Sequence, residues 1–299
     1  MLTNLIINIK NVSKNHNKCE LFNFNNKQKQ TIYYVIFTVG VFFSSSVFAD
    51  FGVYPISDSE CKDMQKSNVI SIDNPVPCTR LSKVIFPIID FDKKTKTGQL
   101  IVFDVVAEHT LNIFNEIYSK KIPINKAVKM DEYNGNDDAS MADNNTSAFN
   151  GRAITGGSTW STHAYGMAID VNPLQNPYIG IYDESGNVEV KPPASVKKYI
   201  NRNELRPGYP SRLGMAETML DIFYKNGFLV WGGNWDYPID YQHFQIGSKD
   251  FIEKLSKEPK EKAIMLFDDY INQYHQCLKE STVNDPVLVR NICVIKVKK

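Results

Sequence analysis

The chain has 299 residues, a hydrophobic fraction of 42%, and 34 Lys plus Arg against 33 Asp plus Glu. That is enough apolar material for one large domain with extensions or two modest ones. The near-neutral balance offers no global basic footprint, which argues against nucleic acid as a partner.

Residues 1–26 form an Asn- and Lys-rich lead that carries no fold signal. Lys27 and Lys29 then precede an apolar stretch, Thr31 to Ala49, that ends in Val47-Phe48-Ala49. A basic flank, an apolar centre and a small-residue exit read as a secretory signal cleaved after Ala49, so residues 1–49 are assigned as leader and signal peptide. The alternative is an uncleaved membrane anchor, because the stretch approaches spanning length, although Ser44, Ser45 and Ser46 weaken it as a permanent span. Export to the periplasm or the medium is therefore expected, with membrane attachment only if the segment is retained.

Removing the leader discards Cys19 and leaves Cys61, Cys78, Cys277 and Cys293. An even number in an exported chain suggests disulfides, with three possible pairings. Nearest-neighbour pairing would close two short loops at opposite ends of the mature chain, each stabilising by about 3 kcal/mol in the chain-entropy model. Metal binding is the alternative, but no C-x-x-C pair is present.

Residues 50–84 read as an irregular, disulfide-tied N-terminal extension interrupted by Pro55, Pro75 and Pro77. Gln99 to Val106 is rich in β-formers and predicts a buried strand. Leu111, Phe114, Ile117 and Tyr118 recur at helical spacing and predict a helix over Ala107 to Ser119. Lys126 to Met130 suggests a short strand, and Asp131 to Gly151 a long polar loop of the kind usually reserved for function or disorder. From His163 to Asn172 a loop enters a strand. Met167, Ile169 and Val171 share a core-facing parity, while Ala168, Asp170 and Asn172 share the parity that faces a cleft. A second polar insert runs from Asn172 to about Pro210. Met215 to Tyr224 is an amphipathic helix stopped by Asn226-Gly227, Phe228 to Trp231 a strand, and Tyr241 to Ile246 another. The tail, 249–299, is a helical C-terminal extension centred on Lys262 to Cys277, followed by the mostly apolar Val287 to Ile295. Helices and strands interleave without regular βαβ spacing, which favours an α+β class, with 85–248 as the main domain.

Of five histidines, His16 lies in the leader, while His109 and His275 sit in helical contexts and read as structural. His163 and His243 stand in polar, turn-bounded settings. A catalytic zinc requires three imidazole or carboxylate ligands and an open position. A histidine before a glycine turn, an aspartate on the next strand and a histidine on a later strand can supply them. The metal would polarise the scissile carbonyl and lower the pKa of its water. These spacings alone also fit two structural histidines and a turn-capping Asp170.

The run Ser161-x-His163-x-x-Gly166-x-Ala168-x-Asp170 is followed by Asn172-Pro173 and Asn176-Pro177-Tyr178. Trp231-Gly232-Gly233 and Asp240-x-x-His243-Phe244 come later. Together these motifs resemble peptidase family M15, zinc enzymes that include D-alanyl-D-alanine carboxypeptidases and L-alanyl-D-glutamate endopeptidases. The resemblance extends over roughly Gly98 to Gly247, and the endopeptidase-like branch of the family shares the Asp-x-x-His spacing best. It implies a small antiparallel sheet flanked by helices, with a zinc cleft on the sheet. It also implies Zn2+ held by His163, Asp170 and His243, with Asp240 as general base. Arg152 matches an arginine that binds substrate carboxylate, a task suited to its planar fork; a surface salt bridge is the alternative. Many relatives read Asn-Cys-Arg here, where this chain has Gly151. Ser161 would orient substrate or a ligand, or simply cap its turn. Trp160, Tyr165, Trp231 and Trp235 are candidates for either the cleft lining or the core.

On one strand, three-residue spacing would put Asp240 and His243 on opposite faces, so an irregular turn is required. The implied activity is hydrolysis of peptide bonds in peptidoglycan stem peptides, by a D,D-carboxypeptidase or an L-Ala-D-Glu endopeptidase. An inactive, zinc-stabilised cell-wall-binding module is the alternative. A serine hydrolase built on Ser161 or Ser158 is disfavoured by the lack of a G-x-S-x-G elbow.

Overall fold

β-Branched and aromatic runs on either side of residue 92 pair first along the chain. The computed structural model describes residues 51–154, 157–181, 186–203 and 206–297, so the leader and signal assignment lies outside the described residues. Strands β1 (Gly52–Pro55), β2 (Leu81–Ile89) and β3 (Thr95–Phe103) form an antiparallel sheet in that order. The β2–β3 register runs unbroken from Leu81↔Phe103 to Ile89↔Thr95. The strand expected over Gln99 to Val106 thus starts earlier, at Thr95, and stops at Phe103. There Val106 N–H turns back to the Phe103 carbonyl and begins a helix.

Regular structure also enters the segment 50–84, where prolines suggested none. Ser57 and Glu60 form a reciprocal capping box on helix α1 (Asp58–Lys66), which carries Cys61. The irregular stretch is confined to the region between Ser67 and Pro77.

Helix α2 (Ala107–Ser119) has the predicted bounds and lays its apolar face on β2, with the Phe114 ring stacked on Phe86 at 4.0 Å. The polar segment 131–151 is ordered: it holds the short helix α3 (Asp137–Ala142) and strand β5 (Asn145–Thr146), which pairs in parallel with β4 (Lys126–Ala127).

Two further three-stranded antiparallel sheets shape the cleft. One consists of β6 (Ala168–Asp170), β11 (His243–Gln245) and β9 (Val230–Trp231), with β11 central. The other consists of β10 (Ile239–Asp240), β7 (Tyr178–Ile181) and β8 (Val188–Lys191), with β7 central. The fold is α+β, as expected, with several small sheets in place of one. Met215 to Tyr224 divides into a 3-10 turn, Ala216–Met219, and helix α4 (Leu220–Lys225), ended at Asn226. Phe223 of α4 stacks on Phe244 of β11 at 3.9 Å, which anchors the β6-β11-β9 sheet in the core.

The tail forms α5 (Lys249–Lys257), α6 (Lys260–Glu280) and α7 (Pro286–Val297). Phe267, Tyr270, Ile271 and Tyr274 make one buried helical stripe on α6. The Tyr270 hydroxyl donates to the Ile246 carbonyl, tying α6 to the residue after β11. On α7 the buried side chains are Val289, Cys293, Val294 and Val297, and they join the same continuous core. The disulfides are Cys61–Cys78 and Cys277–Cys293, the nearest-neighbour pairing. No helix among the described residues is long and apolar enough to cross a membrane.

The second bridge spans 16 residues of sequence separation and fastens α7 to α6. Replacing both cysteines by serine is expected to cost about 3 kcal/mol. Thermal unfolding should then show a melting point lower by roughly 6–12 °C, and an unchanged melting point would contradict α7 as a load-sharing part of the core.

Candidate metal centre

The first histidine is placed by a tight turn. Ser161 caps a 3-10 turn over Thr162–Tyr165 by accepting from His163 N–H at 3.3 Å, and Gly166 ends it in the left-handed region at φ 69°. A Cβ at Gly166 would sit 2.6 Å from the Phe103 backbone nitrogen, so the close approach of this turn to β3 requires glycine. β6 then begins. Met167, Ile169 and Val171 enter the core, as their parity predicts, and Asp170 turns the other way. Antiparallel pairing puts Asp170 directly opposite His243 on β11.

Asp240 and His243 do not share a strand. Asp240 ends β10, residues 241–242 turn, and β11 starts at His243 in a different sheet. That turn removes the parity conflict, and both side chains line one cleft of about 610 Å³. Gly232 makes the approach possible: a Cβ there would lie 2.5 Å from the Asp240 carbonyl oxygen. The Trp-Gly-Gly motif thereby acquires a steric reason.

Three acceptor atoms converge at the centre. His163 Nε2 lies 3.2 Å from His243 Nδ1 and 3.2 Å from Asp170 Oδ1, and His243 Nδ1 lies 3.1 Å from that oxygen. The outer nitrogens are engaged elsewhere: His163 Nδ1 is 2.6 Å from the Ala148 carbonyl and His243 Nε2 is 2.8 Å from Gln245 Oε1. Both contacts are to acceptors, so each outer nitrogen donates and each inner nitrogen presents a lone pair. A tetrahedral site with bonds of about 2.0–2.1 Å separates its ligand atoms by about 3.3 Å. The residues therefore fit a zinc-sized cation, and outer partners of this kind are what orient metal-binding imidazoles.

Gln245 lines the cleft and contacts His243, yet the motifs do not single it out. It follows His243 by two residues, hence the same strand face, and Thr162 Oγ1 donates to its Oε1 at 3.2 Å. The period-2 rule applied to Tyr241–Ile246 is the signal that would mark it.

Burial works against the Asp170 carboxylate, but the His163 and His243 imidazoles outweigh it and hold the acid far below the usual range. Burial likewise opposes the His243 imidazolium, yet its bond to Asp170 and the nearby Asp170 and Asp240 charges raise its pKa. Asp240 is pushed up to about 7, first by loss of water and then by the Asp170 charge, with the histidines opposing. Its Oδ1 is buried without a hydrogen-bond partner.

Arg152 and Ser161 reach the same cleft, as do Trp160 and Trp235. The Arg152 guanidinium is paired with Asp137 of α3, and its Nη1 donates to the Ala153 carbonyl at 2.9 Å. Trp235 packs near the His243 ring at 5.3 Å. Trp231 belongs to the core, where its Nε1 donates to the Tyr241 carbonyl at 2.9 Å. Tyr165 is buried and donates to Glu253 of α5. Asn172 is not a cleft residue. Buried at φ 45°, it donates to the Pro123 and Gly214 carbonyls and accepts from Asn125 N–H, stapling three segments. His109 packs edge-on against Phe267 and lies 3.9 Å from Asp268, and His275 faces the Lys225 carbonyl, so neither joins the centre.

Residues 155–246 match an M15 peptidase family described as D-alanyl-D-alanine carboxypeptidase. The stretch that carries the convergent His, Asp and His is thus similar to M15 peptidases, in keeping with the resemblance of its motifs. No curated protein and no solved structure matches the chain.

The shifted groups fix a pH dependence for protein stripped of metal. Asp240 holds its proton to about pH 7 in the fold but only to about pH 4 when unfolded, so stability falls as pH rises between those values. The contribution of His243 is full below about pH 6.5 and is lost as pH rises through its elevated native pKa. Asp170 acts oppositely, but only below about pH 4. Chelated protein should therefore melt at progressively lower temperature from about pH 5 to pH 8, and zinc should flatten that slope because binding displaces the same protons. A chelated-protein melting point that rose with pH over this interval would refute the coupling.

Proposed function

We propose that this chain is an exported, zinc-dependent peptidase that hydrolyses peptide bonds in peptidoglycan stem peptides. The observation that carries the reading is the convergence of three acceptor atoms beside a second carboxylate in one cleft, all four residues lying in the M15-matched stretch. Two disulfides agree with an oxidising compartment.

His163, Asp170 and His243 are assigned as the metal ligands and Asp240 as the general base. Zinc held there would supply Lewis-acid polarisation of the scissile carbonyl and make a neighbouring water acidic enough to deprotonate near neutrality. Asp240 takes the proton of the attacking water and passes it to the departing amine. A carboxylate raised towards neutrality is matched to that exchange. Arg152, steadied by Asp137, offers its remaining N–H groups to a substrate carboxylate. Ser161 shapes the turn that presents His163 and borders the substrate. Gln245 and the Ala148 carbonyl keep the two imidazoles in the required tautomers.

Mass spectrometry of purified muropeptides, incubated with the mature protein with and without chelator, tests this reading. Zinc-restored loss of one terminal alanine identifies a D,D-carboxypeptidase, and release of the stem peptide beyond its first L-alanine identifies the endopeptidase branch. Absence of either cleavage, with one zinc bound per chain, would replace the enzyme with a cell-wall-binding module. Asp240→Asn should lower kcat by about 10²- to 10⁴-fold while the zinc content measured by atomic absorption stays at one per chain. Full activity in that variant would remove Asp240 as the base.

A further inference from the structure

One wall of the cleft is built by the β10-β7-β8 sheet, and its register orders the side chains on it. Asp240 lies opposite Tyr178, and Tyr178 lies opposite Lys191. Residues directly opposite on paired strands project from the same face, and all three side chains line the cleft. Strands stand about 4.8 Å apart, so the Lys191 position is about 10 Å from that of Asp240. An extended peptide advances about 3.3 Å per residue. A bound substrate crossing this wall would meet the Lys191 ammonium two to three residues from the bond that Asp240 serves.

Lys191 is held in ion pairs with Asp138 at 3.1 Å and Glu189 at 3.6 Å. The lysine side chain is 23% exposed but Asp138 is 70% exposed, so the Asp138 pair sits largely in water. Such a pair is weak and readily exchanged. Asp137 differs: it is tied to Arg152 and accepts from Asn150 Nδ2 at 2.7 Å, which makes it part of the frame. Adjacent acids of α3 thus serve Arg152 and Lys191 unequally.

We infer that Lys191 is a specificity-determining residue that anchors a second substrate carboxylate, and that Asp138 occupies its place in the free protein. The cleft would then select peptides with two free carboxylates, one for Arg152 and one two to three residues from the scissile bond. This rests on the cleft being the peptide site proposed above.

Calorimetric binding to the zinc-loaded Asp240→Asn protein tests the inference without requiring turnover. The probes are synthetic stem pentapeptides in matched pairs, with either the D-glutamate or the third-residue diaminopimelate carboxylate free or amidated. The free acid of at least one pair should bind 10-fold or more tighter than its amide. Adding Lys191→Gln should erase that difference, whereas adding Asp138→Asn should tighten the free acid by removing the internal competitor. Equal affinity within every pair would overturn the inference. So would a loss of affinity shared by both variants for all peptides, which is the result expected if the Lys191–Asp138 pair only braces α3. Selectivity in a protein whose wild type cleaves nothing removes the peptidase reading alone, and cleavage without selectivity removes the anchor alone.

Discussion

Three lone pairs pointed at one another across 3.1–3.2 Å repel unless a proton or a cation sits among them. Much of the surrounding fold can be understood as holding that arrangement. The Ala148 carbonyl and Gln245 occupy the outer imidazole nitrogens, which denies the rings the rotation or tautomer change that would relieve the crowding. Gly166 and Gly232 let backbone approach where a Cβ would collide, one bringing the His163 turn onto β3 and the other bringing Asp240 beside the centre. Behind the cleft-facing side of β11, Phe244 is wholly buried against Phe223, so β11 cannot tilt without opening the core. Polar precision at the cleft is thereby bought with apolar packing one layer below.

The C-terminal helices extend the same logic. β6, β9 and β11 are two or three residues long, too short for their own ladders to give much rigidity. The Tyr270 hydroxyl fixes the carbonyl just beyond β11, Tyr165 of the His163 turn reaches Glu253 on α5, and Arg80 reaches the Glu258 carbonyl beside the α5–α6 junction. The tail therefore braces both histidine-bearing segments, and the bridge from Cys277 to Cys293 secures its last helix.

What the sequence makes legible follows from how local each signal is. Ala107 to Ser119 has a strong 3.6-residue period and no competing turn residues, and its observed bounds coincide with the predicted ones. Met167, Ile169 and Val171 announce their inward parity in the same way. The strand expected over Tyr241 to Ile246 is too long because alternation persists through a chain reversal at residues 241–242 that tertiary pairing imposes. Asn172 fits the cleft-facing parity, yet its left-handed backbone takes it off the strand, and no pattern of neighbours reveals that its amide would staple Pro123, Asn125 and Gly214. Tyr178, though it stands in the Asn176-Pro177-Tyr178 motif, and Lys191 are not marked as cleft residues by any local pattern, for a related reason. Their relevance comes only from a register linking β10 to a distant hairpin.

The electrostatics give the two carboxylates different fates in one environment. Asp170 loses water but sits against both imidazoles, which keep it ionised. Asp240 also loses water, feels the Asp170 charge as repulsion, and has one oxygen without a partner, so its affinity for a proton rises to near neutrality. Two acids whose surroundings drive their pKa values apart are the usual arrangement where one binds a charge and the other carries a proton. If the roles were reversed, the carboxylate nearest the histidines would have to protonate while ion-paired, and the one with an unpartnered buried oxygen would have to stay charged. Both steps run against the local field, and this asymmetry supports Asp170 as ligand and Asp240 as base independently of the motif spacing.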